Sequence, residues 1–152
     1  MLITPALSVL VVDDYPDTAA SCGELLASYG CDVQTAESSD GALALLDGWD
    51  PDVAVLDLRM PGRDGYDIAR WLSTRGARCP LLVAVTGLST KRHRERARAV
   101  GFAHFFLKPV SPDVLTQVLR AYAAARHGTP PDAPRRSPCP CCASRGLADS
   151  DP

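Results

Sequence analysis

Between Ala6 and about His127 the chain alternates short β-rich runs with longer helical stretches, five times over, and this rhythm constrains the fold more than any other feature. Strands that alternate with helices build a parallel sheet with helices on both of its faces, an α/β architecture. The strands expected are Ser8 to Val12, Asp32 to Thr35, Val53 to Leu56, Leu81 to Thr86 and His104 to Leu107. The first, third and fourth are almost wholly apolar, as strands covered on both faces must be.

The helical stretches carry their own punctuation. Helix one begins near Pro16, sets Cys22, Leu25, Leu26 and Tyr29 at helical spacing and stops at Gly30, a residue that tolerates positive φ. Helix two starts after Ser38 or Ser39 and buries Ala42, Leu43 and Leu46; helix three follows Asp64 and turns Ile68 and Leu72 inward. Helix five follows Ser111 and Pro112 with Leu115, Leu119 and Tyr122 on one face. Helix four, about Thr90 to Val100, differs: five basic residues surround a thin apolar line of His93, Ala97 and Val100, so its hold on the sheet should be weak.

With 152 residues, 46% of them apolar, the chain has material for one hydrophobic core and hardly for two. The expected organisation is one domain over residues 1–126 and a Pro- and Cys-containing tail over 127–152, too poor in large apolar side chains to offset its ordering entropy and therefore disordered. The apolar start, Met1 to Val12, lacks the basic opening and cleavage site of a signal peptide and reads as the first strand. No apolar stretch is long enough for a bilayer, so a soluble cytoplasmic protein is expected, with its six cysteines reduced. A net charge of −2 gives no global attraction to nucleic acid or membrane.

In such sheets ligands bind beyond the carboxyl ends of the strands, where strand order reverses. Strand one ends in Asp13-Asp14, strand three in Asp57, strand four in Thr86 and strand five in Lys108-Pro109. Three carboxylates gathered there repel by roughly 4 kcal/mol per pair at 4 Å with an effective dielectric near 20, so they need a cation. With no His or Cys at the strand ends, an all-oxygen site suits Mg²⁺ better than Zn²⁺, and the metal keeps Asp57 ionised, as a nucleophile must be. Thr86 offers a hydroxyl and Lys108 a point charge to the oxygens of a transferred phosphoryl group. Singly, a strand-end Asp is often a helix cap and a Lys-Pro a turn; their joint placement at four strand ends favours the chemical reading.

These residues resemble the receiver (response regulator) domains of two-component signalling. The likeness rests on Val11-Val12-Asp13-Asp14, on Asp57-Leu58-Arg59-Met60-Pro61-Gly62-Arg63-Asp64-Gly65, on Thr86-Gly87 and on Phe105-Phe106-Leu107-Lys108-Pro109, and spans about residues 6 to 126. It implies a flavodoxin-like doubly wound (βα)5 sheet in the order 2-1-3-4-5. It further implies that Asp57 is the phosphoacceptor, served by a histidine kinase or phosphotransfer protein, and that Asp14 binds Mg²⁺ directly, Asp13 mostly through water and Arg59 through its backbone carbonyl. Lys108 is implied to contact the phosphoryl group across a cis bond to Pro109, Thr86 to move toward the phosphate, and Phe105 to swing inward as the switch aromatic, with output through the face of helix four, strand five and helix five. Ala103-His104 stand where DNA-binding relatives that dimerise carry acidic residues, so direct DNA binding is not expected. Thr86-Gly87-Leu88 together with the segment from Gly101 to Val110 resembles the receivers of hybrid histidine kinases and their free-standing relatives. Arg59 and Leu88, two residues after Asp57 and Thr86, cannot activate a water, which implies slow self-dephosphorylation.

Other readings stand beside this one. A phosphatase using the same aspartate nucleophile would favour an acid at position 59, where Arg59 stands; a pseudo-receiver adaptor that works without phosphorylation would not need every reactive position filled. The arginines of helix four read as a solvated face or as a surface for an acidic partner or nucleic acid. His93 and His104 lack a second metal-site residue at suitable spacing. Cys22, Cys31 and Cys79 read as core filling; Cys139, Cys141 and Cys142 read as oxidant-sensing thiols or as ligands of a soft metal, which needs a fourth ligand that the distant His127 does not readily supply.

Overall fold

A computed structural model of the chain describes residues 2–62, 64–87 and 90–127. Leu88, the tail cysteines Cys139, Cys141 and Cys142, and the disorder expected of the tail beyond His127 lie outside them. The elements run β1 (Ser8–Val12), α1 (Pro16–Ser28), β2 (Asp32–Ala36), α2 (Ser39–Leu46), β3 (Val53–Asp57), α3 (Gly65–Ser73), β4 (Leu81–Thr86), α4 (Lys91–Val100), β5 (His104–Leu107) and α5 (Pro112–His127), with a 3-10 turn at Gly76–Arg78. All strands are parallel, in the order β2-β1-β3-β4-β5, with Val12 beside Leu56 and Asp57 beside Val85. The doubly wound α/β sheet implied by the sequence is therefore the fold.

Alternation along the strands divides the core in two. Leu10, Ala54, Leu56, Leu82 and Ala84 face α2, α3 and α4, meeting Ala42, Leu46, Ile68, Leu72 and Ala97. Val9, Val11, Val53, Val55, Leu81 and Val83 face α1 and α5, meeting Leu26, Leu115, Leu119 and Ala123. Each fully buried Leu, Ile or Val contributes about 1.5–3 kcal/mol by leaving water.

Three helices begin as expected. The Ser38 hydroxyl accepts from the Gly41 N–H at 3.0 Å, Asp64 accepts from the Tyr66 and Asp67 N–H groups in a capping box, and Thr90 accepts from the His93 N–H at 3.3 Å. Each cap fixes where the loop after a strand ends, and so fixes the rim of the sheet.

The differences from the sequence reading are local. Of the apolar run from Met1 to Val12, β1 takes Ser8–Val12, the bounds expected for the first strand. Ahead of it Ile3 and Leu7 are buried against the α1/α5 layer, with the Ile3 N–H on the Tyr29 carbonyl at 2.7 Å. β2 and β3 each run one residue further than expected, to Ala36 and Asp57, and residue 127 closes α5 instead of opening the tail. Cys31 and Cys79 are buried, whereas Cys22 is only partly so. Helix α4 buries Ala97 alone, with His93 and Val100 half-buried, but it has an anchor the apolar line did not show. Tyr66 of α3, 2% exposed, donates its hydroxyl to the His93 carbonyl at 3.2 Å and places its ring 3.9 Å from the Arg96 guanidinium.

Candidate functional site

The three carboxylates meet where β1 and β3 end. Asp57 is the last residue of β3 and Asp13 follows β1, held in line by its N–H on the Ala36 carbonyl at 3.1 Å. Both side chains are nearly sealed from solvent and Asp14 is half-buried. Oxygens of Asp13, Asp14 and Asp57 lie within 4.8 Å of one another.

Lys108 reaches this cluster from the end of β5. Its backbone N–H sits on the Thr86 carbonyl at 2.8 Å, and its Nζ donates to Asp13 Oδ2 at 2.7 Å and to Asp57 Oδ2 at 3.1 Å. The Lys108–Pro109 bond is cis. Thr86, 1% exposed, ends the adjoining β4.

Around Asp57 the backbone is tightly drawn. The Arg59 N–H donates to Asp57 Oδ1 at 3.0 Å, and a Cβ on Gly65 would stand 2.4 Å from the Asp57 carbonyl oxygen, so only glycine fits there. The Tyr15 N–H donates to Asp13 Oδ1 at 2.9 Å. Burial raises the Asp57 carboxyl above its ordinary value and Asp13 adds to this, while the Arg59 N–H and Lys108 pull it back. Burial alone would lower Lys108, but its bonds to Asp13 and Asp57 outweigh that and raise it. Two buried carboxylates, a third beside them and one ammonium leave an excess of negative charge. An all-oxygen set of this kind fits a hard divalent cation of the Mg²⁺ type, which keeps several waters and takes few protein ligands.

Phe105, half-buried, packs toward the α2, α3 and α4 layer with the Arg94 guanidinium 5.9 Å from its ring centre. The structure thus brings Asp13, Asp14, Asp57, Thr86 and Lys108 to one rim and leaves Phe105 one strand away, at the α4 contact. His104 stacks on Phe106, apart from the cluster.

Sequence reasoning missed a cleft of about 840 Å³ on the α1/α5 side, open beside Asp57 and Lys108. Its floor is Val55 and Val85, its walls Cys22 and Leu25 of α1 and Leu115 of α5. Burial, then Asp13, pushes the Cys22 thiol up to about 11, so it stays protonated. The one signal for the cleft is the run of small residues Thr18, Ser21 and Cys22 on α1, which helical periodicity alone does not separate from ordinary packing.

Comparison with known proteins agrees with this geometry. Residues 9–120 match the model of the response regulator receiver domain. The chain is 34% identical over 141 residues to the virulence sensor protein BvgS of Bordetella bronchiseptica, an alignment covering 88% of this chain and 11% of that protein. It is 33% identical over 129 residues to a 14.6 kDa protein of Leptolyngbya boryana, covering 84% of this chain and 95% of that one. Among solved structures it is similar to the signal receiver domain of a signal transduction histidine kinase from Syntrophus aciditrophicus, with TM-score 0.73, 26% identity, and 85% of this chain and 98% of that chain covered.

Proposed function

This chain belongs to the response regulator receiver domain family, and from that premise we propose that it takes a phosphoryl group on Asp57 from a phosphohistidine and signals through protein contacts. The observation that carries the reading is the position of Lys108, whose ammonium bridges Asp13 and Asp57 at 2.7 and 3.1 Å where β3 ends.

In this reading an Asp57 carboxylate oxygen forms a bond to phosphorus as the N–P bond of the donor breaks, and the departing imidazole retains the electron pair and gains a proton from water. Asp13, Asp14 and Asp57, with the backbone carbonyl of Arg59, would hold Mg²⁺, which supplies positive charge against the phosphoryl oxygens. Lys108 is already in place to transfer its hydrogen bond from Asp57 to a phosphoryl oxygen, and the Thr86 hydroxyl supplies another donor. Thr86 then moves toward the new phosphate, Phe105 turns inward behind it, and the face of α4, β5 and α5 changes. Arg59 has no carboxylate or amide to activate a water, so the acyl phosphate is lost slowly. The donor is a histidine kinase or phosphotransfer protein, a reading supported by the likeness to the receiver domain of a histidine kinase.

The test is incubation with acetyl phosphate and Mg²⁺ followed by mass spectrometry. One phosphoryl adduct on the wild type, absent when Mg²⁺ is chelated beforehand and absent in Asp57→Asn, is expected. Equal labelling of Asp57→Asn would show that the nucleophile is another residue.

A further inference from the structure

The cleft between α1 and α5 extends from the carboxylate rim over Val55 and Val85, and its volume of about 840 Å³ is that of a small-molecule site. Its floor is unusual for a central strand: Val85 is the one residue of β4 that is not buried. The cause lies in α1. Thr18, Ser21, Cys22 and Leu25 follow one another at helical spacing on the face toward the cleft, and all but Leu25 are small. Gly23 lets the helix lie close against β2, where a Cβ would stand 3.0 Å from Thr35 Cγ2. Because β2 is the edge strand on the far side of β1, a helix seated there leaves β3 and β4 uncovered at this end.

The cleft is apolar at its floor and acidic at its mouth. Asp13, Asp17 and Asp57 line it, with Lys108 as the one basic residue among its described lining. The Lys108 ammonium is already shared between Asp13 Oδ2 and Asp57 Oδ2, so three carboxylates against one ammonium leave an excess of two negative charges. Asp17, exposed in the first turn of α1, has no basic group within ion-pair distance among the described residues. The Cys22 thiol keeps its proton and adds no charge. Fixed carboxylates beside an apolar wall focus their field into the cleft and draw in a cation.

A hydrated metal ion would satisfy the carboxylates and leave the apolar floor in water, whereas a neutral hydrocarbon would cover the floor and leave the acids unmatched. We infer that the cleft binds a small organic ammonium ion, with its head at Asp13 and Asp17 and its apolar body over Val55 and Val85, between Leu25 and Leu115. The body gains about 25 cal/mol for each Å² of apolar surface it buries, and the head offers three donors to the carboxylates. The inference does not require Asp57 to be a phosphoacceptor. Since the head shares Asp13 with the carboxylate cluster, the ammonium ion and a divalent cation on that cluster weaken one another's binding equally. A ligand of this class therefore holds the receiver in its metal-free form.

The test is amide NMR on the full chain, free of divalent cations, titrated with phenethylammonium and, for comparison, with hydrocinnamate, phenethyl alcohol and methylammonium. Saturable shifts at Thr18, Ser21, Cys22, Val55 and Val85 are expected with phenethylammonium, with affinity roughly tenfold above that of hydrocinnamate, whose charge is reversed. Asp17→Asn should cost the ammonium ion about threefold in affinity, as for a partly exposed ion pair, and leave phenethyl alcohol unchanged. Cys22→Phe, whose ring enters the cleft, should abolish the shifts at Val55 and Val85 while a thermal melt checks that the fold is kept. Equal affinity for ammonium and carboxylate, methylammonium binding as tightly as phenethylammonium, or full affinity in Asp17→Asn would overturn the inference. So would Mg²⁺ that shifts the amides of Asp13 and Asp57 yet leaves the ammonium affinity unchanged. Failure of the phosphoacceptor reading is a separate result, in which acetyl phosphate leaves Asp57 unlabelled and these titrations are unaffected.

Discussion

Gly65 and Asp57 touch through their backbones: a Cβ on Gly65 would fall 2.4 Å from the Asp57 carbonyl oxygen and 3.0 Å from its carbon. The start of α3 therefore sets the height of β3's last residue, and with it the place of the carboxylate. Gly65→Ala should force the two apart, at a cost of about 1–3 kcal/mol, and should weaken both Mg²⁺ binding and labelling of Asp57. Gly62→Ala is the contrast, since Gly62 has φ +78° with open space around it. Backbone strain of about 1–2 kcal/mol is expected there. Thermal melts with Mg²⁺ titrations distinguish the two; equal effects on Mg²⁺ affinity would refute a special role for the Gly65 contact.

Lys108 holds two nearly sealed carboxylates, so Lys108→Met should cost about 2–4 kcal/mol near neutral pH by leaving buried charge without its partner. The pH window follows from the directions of the shifts. Lys108 is raised in the folded state, so its contribution is present below 10.5 and is lost as pH rises through its folded value. Asp57 is also raised, so on acidification it takes up its proton above 3.8, and the difference between wild type and variant should begin to close there. Denaturant melts across pH would show a deficit in the middle of the range that narrows at both ends. A deficit that persists at low pH would assign the loss to packing.

Much of this was legible in the sequence because it is carried by short, local signals. The apolar runs ending in Asp13-Asp14, Asp57, Thr86 and Lys108 give the strands, and the strand ends give the rim. Caps at Ser38, Asp64 and Thr90 are readable because side chain and amide lie within three residues. What was not legible depends on pairs distant in sequence. Tyr66 looks like an ordinary apolar position of α3, and only the crossing of α4 shows that its hydroxyl serves His93. The cleft beside Asp57 needs the spacing of α1 and α5, which no helical periodicity encodes. The first strand was placed correctly from Ser8, but nothing in the run ahead of it showed that Ile3 and Leu7 would be buried against the α1/α5 layer.

Helix α4 is held by Tyr66 as much as by its own apolar face. A helix that buries only Ala97 has little apolar area to fasten it, and a single alanine contributes far less than a leucine. Tyr66 supplies the remainder: its ring meets Phe102 edge-on at 6.3 Å, carries the Arg96 guanidinium, and gives its hydroxyl to the His93 carbonyl. Tyr66→Phe keeps the ring contacts and removes only the hydroxyl, so a global loss of about 1 kcal/mol is expected. The larger consequence should be local, because α4 can open without unfolding the sheet. Hydrogen exchange should therefore quicken in the α4 amides from Arg94 to Val100 more than in β1 or β3. Since Tyr66 follows Gly65, which abuts Asp57, this hydroxyl also ties α4 to the backbone of β3, so beryllofluoride should shift the α4 amides less in Tyr66→Phe than in wild type. If exchange in α4 and its response to beryllofluoride are the same in both proteins, the helix is held by other contacts and the α3 route carries no signal.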